Sequence, residues 1–285
     1  MIIAITGANG YIGSQLAQKL IAIGHQVQVY TRPKYDVIES NFIFNEVDHI
    51  VHLAALTSVV ESWENFSDYI KVNVIGTQRI LDSARKNNTP LTFLSSYVYG
   101  QPQFLPIDES HSRAPYNPYS LTKIFGEELC EFYQEVYDQT ISIIRPFNVY
   151  GPGQGTRFVI GSIIDQIYSN SNHISLKSLE PRRDYIYIDD LLSLILKTIL
   201  LPQKCIVNAC SGESYSVEEL AIICQKVSGI KKNVISSNSN RKNEVDEIIG
   251  SNLKAKEVFN WEPIVGIEDG ISLVIQNIKE YVNGK

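Results

Sequence analysis

The stretch that most constrains this chain is its beginning. An apolar run, Ile2-Ile3-Ala4-Ile5, passes directly into Thr6-Gly7-Ala8-Asn9-Gly10-Tyr11-Ile12-Gly13. Four apolar residues followed by turn residues read as a buried strand. The glycines then make a tight turn, a close backbone approach and a helix start packed hard on the strand. The free N–H groups at that helix start suit a diphosphate. The spacing is Gly-x-x-Gly-x-x-Gly, one residue longer before its second glycine than the commonest dinucleotide fingerprint. A purely structural turn would use similar glycines, so the context has to decide.

That context follows at once. Leu16, Ala17, Leu20, Ile21 and Ile23 recur at helical spacing, Gly24 is placed to end the helix, and Val27–Tyr30 reads as a second strand. The result is a βαβ unit of about 30 residues, the unit in which such a loop binds a dinucleotide. An NAD-binding chain places an acid at the end of that second strand to accept the ribose hydroxyls. Here the sequence reads Thr31-Arg32-Pro33. Without a carboxylate there is no repulsion toward a 2′-phosphate, and Arg32 is a planar cation for one. NADP (as NADPH) is therefore favoured, with NAD open and Arg32 as a solvated residue or an adenine-stacking one the plainer alternative.

Segment 34–48 is short. Asn41 to Val47 reads as a helical turn, and Asp36-Val37 as the remnant of a third strand. Asp48 to Ala55 is a buried strand ending in small residues that let the backbone approach a flat ligand. His49 and His52 carry a metal-like spacing, but apolar neighbours and the lack of a carboxylate or cysteine cluster argue against a metal. Residues 66–87 read as a long amphipathic helix or helix pair. The strand Leu91–Leu94 delivers the hydroxyls of Ser95, Ser96 and Tyr97, at the sheet end where ligands sit in a doubly wound fold. Tyr119 and Lys123, four apart, share one face of a helix running to about Tyr137. A strand from Thr140 to Arg145 precedes Pro146-Phe147-Asn148-Val149-Tyr150-Gly151.

Beyond Gly153 the pattern becomes mixed. Helices are expected at 158–169, 217–227, 252–258 and from 267, a strand at 174–176, a strand running into a helix N-terminus over 183–190, and a strand at 205–209 that returns to the main sheet. The fold class is α/β, a Rossmann-type doubly wound parallel sheet with a small α/β C-terminal substrate domain. Residues 1–153 with about 185–210 form the dinucleotide-binding part, and about 154–184 with 211–285 the substrate part.

Net charge of −6 gives no basic footprint for nucleic acid. Cys130, Cys205, Cys210 and Cys224 lack metal spacing and read as reduced thiols, which fits a cytoplasmic protein. No apolar run reaches the ~18 to 20 residues of a membrane span.

The set Thr6-Gly7-x-x-Gly10-x-x-Gly13, Leu53-Ala54-Ala55, Asn73-x-x-Gly76-Thr77, Ser95, Tyr119-x-x-x-Lys123, Arg145-Pro146-x-Asn148-Val149-Tyr150-Gly151 and Arg183-Asp184 resembles the extended short-chain dehydrogenase/reductases that act on nucleotide sugars. The resemblance spans nearly the whole chain and rests on the joint order of individually weak motifs. It implies a seven-stranded parallel sheet and a small domain closing over a nucleotide-diphosphate sugar. It also implies a homodimer joined through helices 66–87 and 119–137. Tyr119 is then the acid/base, Lys123 supports it and the nicotinamide ribose, and Ser95 donates a hydrogen bond to the reacting oxygen. The cofactor contacts implied are Gly7, Asn9, Gly10, Tyr11, Ile12, Gly13, Thr31, Arg32, Asp36, Val37, Leu53, Ala54, Ala55 and Pro146. The substrate contacts are Thr57, Ser95, Ser96, Tyr97, Asn148, Arg157, Arg183 and Arg241.

The chain departs from the family at the missing acid and the short segment 33–48, which leaves the adenosine contacts open. Ser96 and Tyr97 also stand where sugar-nucleotide 4,6-dehydratases carry Asp and Glu, and a cysteine of the related epimerase-reductases is replaced by Tyr97. Dehydration and 3,5-epimerisation are disfavoured. The expectation is an NADPH-dependent reductase of a 4-keto-6-deoxy sugar nucleotide. An NAD-dependent 4-epimerase is the alternative and a redox-sensing regulator a third; nothing reads the base, so UDP, dTDP, GDP and CDP sugars stay open.

Overall fold

The computed structural model describes residues 1–39, 44, 46–237 and 245–283. Strand β1 (Ile2–Thr6), helix α1 (Tyr11–Ala22) and strand β2 (Gln26–Tyr30) form the expected βαβ unit, with β1 and β2 parallel. Helix α1 buries Gly13, Leu16 and Leu20, one stripe of its 3.6-residue period. Strand β3 (His49–His52) then pairs with the other side of β1. The strand order therefore reverses at β1, which opens a crevice over the C-terminal ends of β1 and β3.

After β3 come α2 (Val59–Glu64) and α3 (Phe66–Tyr69), a π-helical segment Ile70–Ile75, and α4 (Gly76–Lys86). The long helix or helix pair expected at 66–87 thus runs unbroken through a π-helical segment, and α2 lies outside the expectation altogether. Strand β4 (Leu91–Leu94), helix α5 (Pro118–Val136) and strand β5 (Ile141–Pro146) continue the parallel alternation. Short β6 (Asn148–Tyr150) leads to α6 (Val159–Tyr168), β7 (His173–Leu176), β8 (Arg182–Tyr187) and α7 (Ile188–Leu200). Strand β9 (Cys205–Ala209) returns to pair with β5. The rest comprises β10 (Ser214–Ser216), α8 (Val217–Ser228), β11 (Asn233–Ser236), β12 (Glu247–Ile248), α9 (Leu253–Phe259) and α10 (Ile267–Asn283).

The main sheet has six parallel strands in the order β2-β1-β3-β4-β5-β9. Among the described residues this is one fewer than the seven implied above, and the reason is the short connection from β2 to β3. Asp36 accepts the Ile38 N–H at 2.7 Å and Val37 lies in a turn, so this pair is not a strand remnant. Val37 is buried, and it fills the space beside Gly76 where a strand's side chains would pack. Of the helical turn expected at 41–47, residues 41–43 and 45 lie outside the described residues, and Phe44, Glu46 and Val47 are not helical.

Strands β6, β10 and β12 all pair with β8 in a small mixed sheet, and β7 pairs with β11. The boundary expected near 184 therefore falls inside β8. The four cysteines are unpaired thiols, three of them buried. Among the described residues no helix is long and apolar enough to cross a membrane.

Candidate active site

Two glycines shape the crevice. Gly7 follows β1 with φ +72°, and a Cβ there would lie 2.7 Å from the Ala54 backbone nitrogen. A Cβ on Gly13 would lie 2.4 Å from the Gly7 carbonyl oxygen. Larger residues are thus excluded at both, and α1 starts at the floor of the crevice with no side chain capping its N-terminus. Such a start leaves its N–H groups facing outward, the arrangement that holds a diphosphate.

The loop after β3 is held by buried hydrogen bonds. The Thr77 hydroxyl donates to the Asn73 carbonyl at 2.6 Å, so its oxygen accepts from His52 Nε2 at 3.0 Å. Nδ1 of His52 then accepts from the Thr6 hydroxyl at 2.7 Å, and Thr6 Oγ1 accepts the Ala54 N–H at 3.3 Å. Asn73 closes the loop from the other side, accepting the Leu56 N–H at 2.8 Å and donating to the Leu56 carbonyl and Thr122 Oγ1, each at 3.0 Å. Asn73 is the buried residue of the π-helical turn, a kind of turn frequent at functional sites. With both ring nitrogens engaged, His52 is a neutral structural residue, and burial lowers its pKa to about 3. His49, bonded to Thr92 Oγ1 at 2.8 Å, is lowered to about 3 for the same reason. Among the described residues no group of three or more His, Cys, Asp or Glu side chains could hold a metal.

Helix α5 brings in the next residues. Asn117 caps it by accepting the Ser120 N–H at 2.7 Å, the Ser120 hydroxyl oxygen accepts the Asn117 N–H at 3.2 Å, and Pro118 preorganises the first turn. Tyr119 therefore stands in the first turn and Lys123 one turn below. Burial pushes the Tyr119 phenol up to about 12, against a lowering hydrogen bond with the Ser96 hydroxyl. Lys123 donates to the Leu94 carbonyl at 2.6 Å and lies 4.4 Å from the centre of the Phe93 ring. Its burial lowers the ammonium to about 8, with the carboxylate of Glu127 opposing. Glu127, a further turn along α5, is fully buried and ion-paired with Arg145 at 2.6 Å.

Tyr119 and Lys123 border one cavity of about 700 Å³, in the size range of small-molecule sites. The loop residues Gly7, Asn9, Gly10, Tyr11, Ile12 and Gly13 line one end, with Thr31, Arg32, Asp36 and Val37 beside them. Leu53, Ala54, Ala55 and Thr57 line it as well, as do Ser95, Ser96, Tyr97, Tyr119, Lys123 and Pro146. Asn148 and Arg157 complete the set. Asn148 donates to the Asp184 carbonyl at 2.9 Å and accepts from the Tyr97 phenol at 3.4 Å, while the Tyr97 ring stacks on Phe147.

Three of the expected site residues stand apart from the rest. Ser95 borders the cavity, and its hydroxyl donates to Glu127 Oε1 at 2.5 Å. Arg183 does not line the cavity, because its Nη1 donates to the carbonyls of Arg182 at 2.8 Å and Val245 at 2.7 Å. Its charge still reaches Tyr116, which does line it. Arg241 lies outside the described residues. Sequence reasoning missed Tyr35, Tyr116 and Phe147 in the lining and Glu127 behind it; the spacing Tyr119, Lys123, Glu127 was the available signal for the last.

The profile of the NAD dependent epimerase/dehydratase family matches residues 3–210. A Methanocaldococcus jannaschii protein classed with the UDP-glucose 4-epimerases is 31% identical over 98% of both chains. The GDP-6-deoxy-D-mannose reductase of Pseudomonas aeruginosa is 27% identical, covering 96% of this chain and 95% of its own. Among solved structures, the RMD protein of Pseudomonas aeruginosa complexed with NADPH superposes with a TM-score of 0.90 at 25% identity, over 98% of this chain and 99% of that one.

Proposed function

Because the chain belongs to the NAD dependent epimerase/dehydratase family, we propose that it is an NADPH-dependent reductase of the C4 ketone of a 4-keto-6-deoxy sugar nucleotide. The observation that carries this reading is the end of β2, where Thr31 and Arg32 border the cavity in place of a carboxylate. A permanent cation there favours a 2′-phosphate. NADPH is a cofactor taken up reduced and released oxidised, which suits a net reduction.

The glycine turn and the start of α1 suit the cofactor's diphosphate. Thr31, Arg32, Asp36 and Val37 are assigned to its adenosine end, and Leu53, Ala54, Ala55, Pro146 and Lys123 to its nicotinamide end. When bound, the dinucleotide supplies the hydride for the carbonyl carbon. Tyr119 gives its phenolic proton to the carbonyl oxygen, and solvent returns that proton. The sum is ketone, NADPH and one proton going to alcohol and NADP. With its pKa held near 12, Tyr119 is a proton donor at neutral pH, the state from which a reduction starts. An oxidation-first reaction starts instead from the phenolate.

Asn148 and Arg157 are assigned to the sugar and diphosphate, and the segments 154–184 and 211–285 to the cover over them. We extend the reading to a homodimer through the π-helical segment, α4 and α5. Ser96 and Tyr97 carry no acid, so dehydration lacks its acid/base pair.

The second reading is a 4-epimerase, favoured by the Methanocaldococcus jannaschii relative. Incubation of the purified protein with NADPH and a panel of 4-keto-6-deoxy sugar nucleotides separates the two. Stoichiometric NADPH consumption with appearance of the 4-hydroxy product supports the reductase. Interconversion of an unmodified UDP-hexose with no net NADPH loss overturns it in favour of the epimerase.

A further inference from the structure

Three aromatic rings link the core to the part of the cavity beyond β2. Phe44 is buried in the core, and the Tyr30 ring meets it edge-on with centroids 5.0 Å apart. The Tyr35 ring packs in turn on Tyr30, 4.8 Å away and tilted by 55°. The Tyr30 phenol donates to Gln28 Oε1 at 2.9 Å, which ties its ring to the strand. Tyr35 is folded back over the strand end by its own N–H, which donates to the Thr31 carbonyl at 3.0 Å. Exposed Lys34 places its ammonium 5.1 Å from the centre of the Tyr35 ring, an attractive arrangement for a cation and a π face. Two residues on, Val37 is buried beside Gly76 and anchors the loop.

Tyr30 and Tyr35 are both half-buried, and both line the cavity with Thr31, Arg32, Asp36 and Val37. Tyr30 packs against both other rings and so supports them. Tyr35 is the ring that the short loop carries to the cavity wall. A purine needs a flat partner, and an aromatic side chain supplies one whatever the base. Arg32 offers a plane as well, but it is exposed, and its long side chain has rotamer freedom to lose on stacking. The Tyr35 ring is already held by packing, so using it as a platform costs little further ordering.

We propose that Tyr35 is the platform on which the adenine ring of the cofactor stacks, which leaves Arg32 to the 2′-phosphate. The proposal rests on the dinucleotide-binding part of the reading above and not on which ketone is reduced. It gives the shortened connection from β2 to β3 a role: in place of a further sheet strand, the loop presents a supported aromatic ring.

Calorimetric titration of the full chain with ADP, adenosine 2′,5′-bisphosphate and reduced nicotinamide mononucleotide tests it, since these probes separate base, 2′-phosphate and nicotinamide. Tyr35→Ala is expected to raise Kd for ADP and for adenosine 2′,5′-bisphosphate by the same factor, about 5- to 150-fold, the usual loss of one base stack. Tyr35→Leu, which keeps apolar packing against Tyr30 but has no ring, should also lose at least about fivefold, and Tyr35→Phe should stay within about twofold of wild type. Arg32→Ala should weaken adenosine 2′,5′-bisphosphate alone. Reduced nicotinamide mononucleotide should bind every variant as it binds the wild type. Unchanged ADP affinity in Tyr35→Ala and Tyr35→Leu overturns the proposal. So does a loss of ADP affinity in Arg32→Ala as large as that of the bisphosphate, which would put the base on Arg32. A matching loss of the mononucleotide in both Tyr35→Ala and Tyr35→Leu overturns it too, because the crevice rather than a stack would then have been lost. If the wild type binds these nucleotides but reduces no 4-keto sugar nucleotide, the functional reading fails, and the ADP comparison still supports or overturns the role of Tyr35.

Discussion

Val37 occupies the space that any side chain on Gly76 would need: a Cβ at Gly76 would lie 2.7 Å from Val37 Cγ2. Gly76 opens α4 directly after the π-helical turn, and Val37 belongs to the loop that replaces a sheet strand. The contact thus joins the turn that carries Asn73 to the loop that borders the cavity beside Arg32. Gly76→Ala is expected to destabilise the protein by about 1–3 kcal/mol, the range for overpacking a tight contact. Because Val37 and Asp36 line the part of the cavity assigned above to the cofactor's adenosine, KM for NADPH should rise more than KM for the sugar nucleotide. Urea unfolding and steady-state kinetics with each substrate varied check both halves.

Arg32 offers a sharper test of the cofactor. It is exposed at the cavity border after β2. A charge-assisted hydrogen bond to a phosphate is worth roughly 1.5–3 kcal/mol, which corresponds to about 10- to 100-fold in affinity. Arg32→Glu should therefore raise KM for NADPH by at least tenfold while KM for NADH stays level or falls. Parallel kinetics with the two cofactors measure the ratio, and equal changes in both would remove Arg32 from 2′-phosphate recognition.

Much of this architecture was legible because it follows from periodicity. The runs Ile2–Ile5, Leu91–Leu94 and Ile141–Ile144 have the apolar continuity of strands buried on both faces, and they are the central strands of the sheet. Tyr119 and Lys123 were legible as a pair because four residues is one helical turn. The π-helical turn was not, since its six residues carry the same apolar pattern as the flanking helix. Strands β6 and β10, of three residues each, and β12, of two residues, are too short to alternate. The partner of the Ser95 hydroxyl, Glu127, lies 32 residues away, and adjacent sequence does not encode it.

Glu127 and Arg145 form a buried pair with exposures of 0% and 3%. Removing one member of such a pair strands the other charge and costs about 3–5 kcal/mol. The cost of Glu127→Ala should fall in that range. Arg145 also donates to the Tyr99 phenol at 3.0 Å, and Tyr99 donates to Asn208 Oδ1 at 2.5 Å, so the loss should also loosen β9 at the sheet edge. Glu131 serves as the control, because it pairs with the same Arg113 at 2.9 Å but is 35% exposed. Glu131→Ala should cost under about 1 kcal/mol, as surface pairs do. Denaturant unfolding of the two variants, with hydrogen exchange at residues 205–209, distinguishes them.

Lys123 makes stability depend on pH in a direction that can be worked out. Burial lowers its pKa from the ordinary 10.5 to about 8 in the folded protein. Below about pH 8 the ammonium is charged in both folded and unfolded chains, and the folded state bears the full cost of burying it. Between about 8 and 10.5 the unfolded chain holds a proton that the folded chain has released, so stability from this group rises with pH. A shift from 10.5 to about 8 corresponds to ~3 kcal/mol. Lys123→Met removes this titration and leaves the other groups in place. The stability of the wild type relative to Lys123→Met should therefore be lowest near neutral pH, climb through the interval from 8 to 10.5, and level off above it. Urea unfolding of both proteins at matched pH values reads the difference directly, and a difference that stays flat across the interval would mean that Lys123 is not desolvated in the folded protein.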